Sequence, residues 1–259
     1  MKTALTQHYL IFCLFLLVIF FPLTATAEKN ITAWTYYDDP PFITGKEQGL
    51  IYDFVNLINT RAKEKYKLHV VIYPRKRIEA HLKAKEQGIV LFVHWSWMED
   101  ILRTKYLWTP SFLADTNEII SRADRKIEYD GKLSSLEGLI FGGVLGHNYP
   151  LTEAVNSGKI IRVDCLNHTK NIEKILRNRI DFTILLGSTL NYLTEKLRLD
   201  GLVHISSIPL GPYTRHLLVT KGLQEKHGYL SDLIQALNND DVWKRTLAKY
   251  GLKSQLPVP

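Results

Sequence analysis

The feature that most constrains the fold is an alternation of short apolar runs with helical stretches, which begins at Ile31. Ile31 to Tyr36 and Lys67 to Tyr73 have the β-branched, alternating pattern of strands, and Leu50 to Lys65 between them has apolar residues at helical spacing. Arg77 to Glu86 then predicts a second helix, and Ile89 to Val93 a buried strand. This β-α-β-α-β order predicts an α/β fold with a mostly parallel sheet flanked by helices.

A second unit of the same kind follows. Its predicted strands are Leu139 to Leu145, Lys159 to Val163 and Ile180 to Leu186, and its predicted helices begin at Leu151 and Thr169. A last amphipathic region predicts two more helices, the second over Val242 to Tyr250. Two α/β units in succession indicate two lobes.

The N-terminus has the three parts of a cleavable secretory signal peptide. Lys2 is followed by an unbroken apolar run, Tyr9 to Phe21, and then by the small residues Ala25-Thr26-Ala27. The alternative is an uncleaved anchor, but the run is shorter than the ~20 residues that span a bilayer. We therefore expect residues 1–27 to be removed, and the mature chain to be exported without stable membrane insertion.

Charge and motif content exclude several classes of function. The net charge is +7, but the basic residues are spread along the chain and form no stripe, so we expect no nucleic-acid partner. Of the two cysteines only Cys165 would remain after cleavage, which rules out an intramolecular disulfide and favours a small buried hydrophobe. No Ser-His-Asp order, paired histidine ligands or glycine-rich phosphate loop is present, so we predict no enzyme, metal or cofactor.

Several short motifs follow one another along the predicted mature chain. They are Pro40-Pro41-Phe42, Gly49 to Asp53, Arg103 with Trp108 to Phe112, Leu136-Glu137-Gly138, and Arg179-Ile180-Asp181. In this order the chain resembles the periplasmic solute-binding proteins of the amino-acid-binding type (family 3, type II periplasmic-binding-protein fold), the receptors of ABC importers.

The resemblance implies a two-lobe protein with two hinge crossovers. Lobe one would comprise residues 28–113 and 212–259, and lobe two residues 114–211, with a small ligand between them. It further implies a periplasmic monomer that takes an amino-acid-like or carboxylate ligand to an ABC permease. A role as ligand sensor for a membrane signalling protein stays open, and an enzyme on the same fold is a third alternative.

The same resemblance assigns candidate ligand contacts in lobe one. Arg103 matches the arginine that clamps a ligand carboxylate, and Trp95-Ser96-Trp97 matches a ligand-contacting loop. Tyr37 and Asp39 lie near the position of an aromatic contact, and Arg77 is a candidate second anion contact. Each has a structural alternative: a surface arginine, a sheet cover for the tryptophans, and a turn-forming role for the aspartate.

In lobe two, His147 and Asn148 match the turn that opens a helix, where free backbone N–H groups favour an anion, although a plain helix cap is the alternative. One departure concerns Leu186. The amino-acid receptors usually present a carboxylate five residues after the aspartate that matches Asp181, and this sequence has a leucine there. A leucine does not pair with an ammonium group, which leaves the identity of the ligand open.

Overall fold

A computed structural model describes residues 30–63 and 65–252 of the 259-residue chain. The predicted signal peptide lies outside the described residues. None of the helices in the described part combines the length and the apolar character needed to cross a bilayer.

Strands and helices alternate along the described residues. The strands are β1 (Asn30–Thr35), β2 (Lys67–Ile72), β3 (Ile89–Val93), β4 (Leu107–Trp108), β5 (Leu113–Arg122), β6 (Ile140–Val144), β7 (Ile161–Cys165), β8 (Phe182–Leu186), β9 (Val203–Ile205) and β10 (Gly211–Val219). The α-helices are α1 (Leu50–Ala62), α2 (Arg75–Lys83), α3 (Thr152–Asn156), α4 (His168–Leu176), α5 (Gly187–Leu197), α6 (Gln224–Leu237) and α7 (Asp241–Lys249).

Lobe one is built on the parallel strands β2-β1-β3, which helices α1, α6 and α7 cover on one face. Aromatic rings fill its core. Phe54 stacks on Phe112 with 4.8 Å between ring centroids, and the fully buried Trp243 meets Phe54 edge-on at 5.5 Å. The indole N–H of Trp243 donates to the carbonyl oxygen of Phe112 at 3.1 Å. A ring of this size is buried at no polar cost when its one donor is satisfied.

Lobe two is built on the order β5-β8-β6-β7, in which β6 runs parallel to both β7 and β8. Helix α4 lies close to this sheet because β6 contains glycine. A Cβ at Gly142 would stand 2.7 Å from Oδ1 of Asn171 on α4. Asn171 instead donates to the carbonyl oxygen of Gly142 at 3.1 Å, and it accepts from the thiol of Cys165 at 3.0 Å. Cys165 is thus half-buried and hydrogen-bonded, not a fully buried hydrophobe.

The two lobes are joined by the long antiparallel strands β5 and β10. The first half of β10 pairs with β5, and its second half pairs with β3 of lobe one. The later residues of β5 pair with β8 of lobe two. The lobe boundaries expected from the resemblance, 113/114 and 211/212, fall at the beginnings of these strands. The predicted two-lobe α/β architecture with two crossovers is confirmed.

Candidate functional site

A cavity of about 60 Å³ lies between the lobes, where the carboxyl ends of strands from both sheets meet. Ligand sites of open α/β sheets occur at this edge, because loops and helix N-termini converge there. Twelve residues line the cavity, four from lobe one and the rest from lobe two and strand β5.

The wall from lobe one consists of Tyr36, Tyr37, Arg75 and Trp97. The two tyrosines follow β1 and stack on each other at 4.7 Å. Arg75 is the first residue of α2, and Trp97 lies in a short 3-10 helix that follows β3. All four side chains stand just beyond the end of a strand or at the start of a helix.

Arg75 is a buried cation at the cavity wall, with 9% of its surface exposed. Its Nε donates to Glu79 at 3.0 Å, its Nη2 donates to the carbonyl oxygen of Trp97, and its guanidinium lies 5.5 Å from the ring of Tyr36. These contacts fix the side chain in place, while Nη1 donates to no other residue in the described part of the chain. A fixed guanidinium with a free edge suits a carboxylate.

The wall from lobe two begins with a loop, residues 147–150, that follows β6. Arg162 stabilises the backbone of this loop by hydrogen bonds. Its Nη2 donates to the carbonyl oxygens of Val144 at 3.2 Å and His147 at 3.1 Å, and its guanidinium lies 5.3 Å from the ring of Tyr149. The loop therefore presents His147, Asn148 and Tyr149 to the cavity from a fixed backbone.

The imidazole rings of His147 and His168 meet edge-on in this wall, with ring centroids 5.9 Å apart. Burial, together with the positive charges of Arg75 and Arg162, lowers the pKa of His147 to about 4. Burial and the neighbouring His147 lower the pKa of His168 to about 3. Both are neutral at physiological pH, and Nδ1 of the buried His168 has no hydrogen-bond partner among the described residues. Neutral imidazoles donate or accept hydrogen bonds without adding charge to the site.

The lobes touch each other at the cavity. The rings of Tyr36 and His147 meet edge-on at 6.3 Å, and both residues also border a smaller adjoining cavity that includes Asp39. Burial and the charge of Asp38 raise the pKa of Asp39 to about 6. Asp39 thus borders the adjoining cavity as an acidic side chain, but it does not line the main one.

Beneath the lobe-one wall, a buried ion pair joins the two hinge strands. Arg215 on β10 donates to Asp115 on β5 at 2.9 Å, and the arginine is fully buried. Arg215 also donates to the hydroxyl of Tyr37 at 2.7 Å. Asp115 accepts from the backbone N–H and the hydroxyl of Ser188, at the start of α5, at 3.0 and 2.7 Å. The network thus connects a cavity residue, both crossovers and a lobe-two helix.

The structure brings together four of the nine predicted contacts. Tyr37, Trp97, His147 and Asn148 line the cavity, and Asp39 borders the adjoining one.

The other four predicted contacts lie elsewhere. Arg77 is exposed and stacks on Tyr73 at 4.0 Å. Arg103 is exposed on a left-handed turn, φ 54°, and covers the ring of Trp95 at 4.5 Å. Ser96 is exposed as well, and its hydroxyl lies 2.7 Å from Nδ1 of His94.

Sequence reasoning missed Arg75, Asn117, Tyr149, His168 and the buried Arg215. One signal was present for Arg215, because a charged residue inside the apolar end of a strand needs a buried partner. Asn117 and His168 had no such signal, since their positions depend on the packing of one lobe against the other.

No protein-family model and no curated protein matches the sequence. Solved structures do share the fold. A mutant of ArgBP from T. maritima has a TM-score of 0.68 at 16% identity, over 87% of this chain and 96% of that one. The GluR0 ligand-binding core from Nostoc punctiforme, in complex with L-glutamate, has a TM-score of 0.67 at 12% identity, over 85% and 98%. The substrate binding protein of an amino acid ABC transporter has 0.63 at 15%, over 85% and 98%. At such identities the likeness shows the fold: a two-lobe type II periplasmic-binding-protein fold, as the motifs predicted.

Proposed function

We propose that the protein is a periplasmic ligand-binding receptor that closes its two lobes on a small amino-acid-like or carboxylate molecule. The observation that carries this proposal is the cavity between the lobes. Rings and hydrogen-bonding groups from both sheets converge there, and Arg75 presents a fixed guanidinium with a free edge. Ligand sites typically combine apolar walls with a few placed polar groups, and this cavity has that composition.

A binding role fits the chemistry of the cavity better than catalysis. None of the described residues that line it is Ser, Cys, Thr or Lys, the side chains that most often serve as activated nucleophiles beside an imidazole. Among residues 30–63 and 65–252, no group of three His, Cys, Asp or Glu side chains is arranged to hold a metal ion.

The proposed partner is the permease of an ABC importer. The fold is shared with the substrate binding protein of an amino acid ABC transporter, which supports this choice. The test is uptake of the bound compound into cells that carry or lack the gene. Loss of a ligand-dependent transcriptional response with unchanged uptake would favour the sensor role instead.

Binding itself is tested by thermal unfolding against amino acids, organic acids, polyamines and sugars. A ligand at 100 times its Kd stabilises the folded state by about 2.7 kcal/mol, so one class should raise Tm saturably. Because Trp97 lines the cavity and Trp95 does not, Trp97→Phe should abolish the ligand-induced change in fluorescence and Trp95→Phe should keep it.

Arg75 and Arg77 form a matched pair on one helix. We expect Arg75→Met to weaken binding at least tenfold, and Arg77→Met to bind as the wild type does, since it is exposed outside the cavity. Circular dichroism checks that both variants fold. Equal affinities for the two variants, or a panel without any binder, would contradict the proposal.

A further inference from the structure

The charges around the cavity are one-sided. Among the described residues that line it, Arg75 is the one with a formal charge at neutral pH, and none is Asp or Glu. The carboxylate of Glu79 already pairs with Nε of Arg75 at 3.0 Å. A ligand ammonium group held here would lose its water without gaining an anionic partner, which is costly.

The position opposite the lobe-one tyrosines is apolar. Ile184 and Leu186, from the end of β8, form this part of the lining. Leu186 lies beside Asn117 in the pairing of β8 with β5, so it stands where the crossover enters lobe two. A cationic group placed against these two side chains would meet hydrocarbon on that side, and the nearby Asp39 borders the adjoining cavity instead.

The lining is rich in flat rings. Six of its twelve residues are Tyr, Trp or His: Tyr36, Tyr37, Trp97, His147, Tyr149 and His168. Aromatic rings attract one another in stacked and edge-on pairs, so these side chains favour a ligand with a planar ring that can form such pairs with them. Neutral imidazoles accept or donate a hydrogen bond, and the orphaned Nδ1 of His168 is one such unmet group.

Donors for an anion stand on both sides of the cavity. Arg75 keeps Nη1 free of described partners, and the side-chain amides of Asn117 and Asn148 make no hydrogen bond to the described residues. A carboxylate that reached them would pair with the guanidinium and satisfy amide donors.

We infer that the cavity selects a planar aromatic carboxylate without an ammonium group, and that Leu186 is the residue that excludes the ammonium. This inference rests on the proposed receptor function and specifies the chemical class of its ligand.

The experiment compares matched probes that differ by one ammonium group: 3-phenylpropionate with phenylalanine, 3-(4-hydroxyphenyl)propionate with tyrosine, and indole-3-propionate with tryptophan. Isothermal titration measures the Kd of each. We expect at least one carboxylate to bind tenfold or more tightly than its amino acid. 3-Cyclohexylpropionate, which lacks the flat ring, should bind more weakly than 3-phenylpropionate.

Leu186→Asp is the reciprocal test. Leu186 is the N-cap residue of α5, a position where aspartate is favoured, so this variant should fold. It should shift the preference toward the amino acid by tenfold or more, whereas Leu186→Asn, of equal size and without charge, should not. If the variants fail to fold, the wild-type comparison alone decides.

Tighter wild-type binding of the amino acids would overturn the inference and leave the receptor function intact. Loss of that binding in Asp39→Asn would then assign the ammonium to the adjoining cavity. Binding of a member of the broad panel, but of none of the aromatic carboxylates, would also overturn only the inference. If no compound in either set bound, the proposed function itself would fail.

Discussion

Replacing Asp115 with alanine would leave the guanidinium of Arg215 fully buried and without its anion. The aspartate accepts four hydrogen bonds: two from Ser188, one from Arg215 and one from the N–H of Thr116. Removing one partner of a buried ion pair typically costs about 3–5 kcal/mol, because the remaining charge stays desolvated. We expect a loss of that size in the free energy of unfolding of Asp115→Ala.

The assay is urea unfolding followed by tryptophan fluorescence and by circular dichroism. Coincident transitions would justify a two-state treatment, which a two-lobe chain has to demonstrate. For a chain of this size, 3–5 kcal/mol corresponds to a drop in Tm of about 6–20 °C. The slope of the free energy with urea should stay unchanged if both states keep their exposed surface.

Two further variants separate the buried charge from simple loss of contacts. Asp115→Leu combined with Arg215→Met replaces the pair with apolar side chains, and it should be more stable than Asp115→Ala alone. Lys170→Ala removes an exposed pair with Glu173 and should cost less than about 0.5 kcal/mol. A cost for Asp115→Ala as small as that of Lys170→Ala would refute the reasoning.

Three more predictions concern other parts of the fold. Burial keeps the pKa of His168 at about 3 in the folded protein, whereas in the unfolded chain this residue is protonated below about pH 6.5. Protonation therefore favours the unfolded state, and the free energy of unfolding should fall by up to about 1.4 kcal/mol per pH unit below 6.5. His168→Gln should remove that part of the slope in urea titrations from pH 7 to pH 4. Gly49→Ala should lower stability by more than about 2 kcal/mol, since its Cβ would stand 2.3 Å from the carbonyl oxygen of Phe42 at φ 121°. Asp100→Ala should speed hydrogen exchange at the three backbone amides that donate to its carboxylate.

The sheets of both lobes were predictable because their central strands are apolar runs between amphipathic helices. The prediction of β3 over Ile89 to Val93 matches the structure residue for residue, and all five residues are buried. Strands β5 and β10 were not predicted. Their hinge segments carry polar residues such as Asp115 and Arg215, which become buried only through pairing with each other, so the local sequence pattern does not indicate a strand.

The candidate site was only partly predictable. When the beginning of a helix is misplaced by one or two residues, the prediction selects a residue on the wrong face of that helix. The helix predicted to begin at Arg77 begins at Arg75. Two residues correspond to about 200° around an α-helix, so the arginine that faces the cavity is the one two positions earlier. In the 3-10 helix, Trp95 and Trp97 are about 240° apart, and one lines the cavity while the other does not.

Tyr37 links ligand contact to the hinge through one side chain. Its ring lines the cavity, and its hydroxyl accepts from Arg215, which holds the two crossover strands together through Asp115. The hinge residues Arg215 and Asp115 therefore fix the position of the ring on which a ligand would stack. Because Asp115 also binds the start of α5, where Ser188 lies two residues beyond Leu186, the walls of both lobes are anchored to the same buried pair. Contact with the ligand and closure of the lobes are thus expected to depend on one shared network, since a shift of either wall requires that network to move.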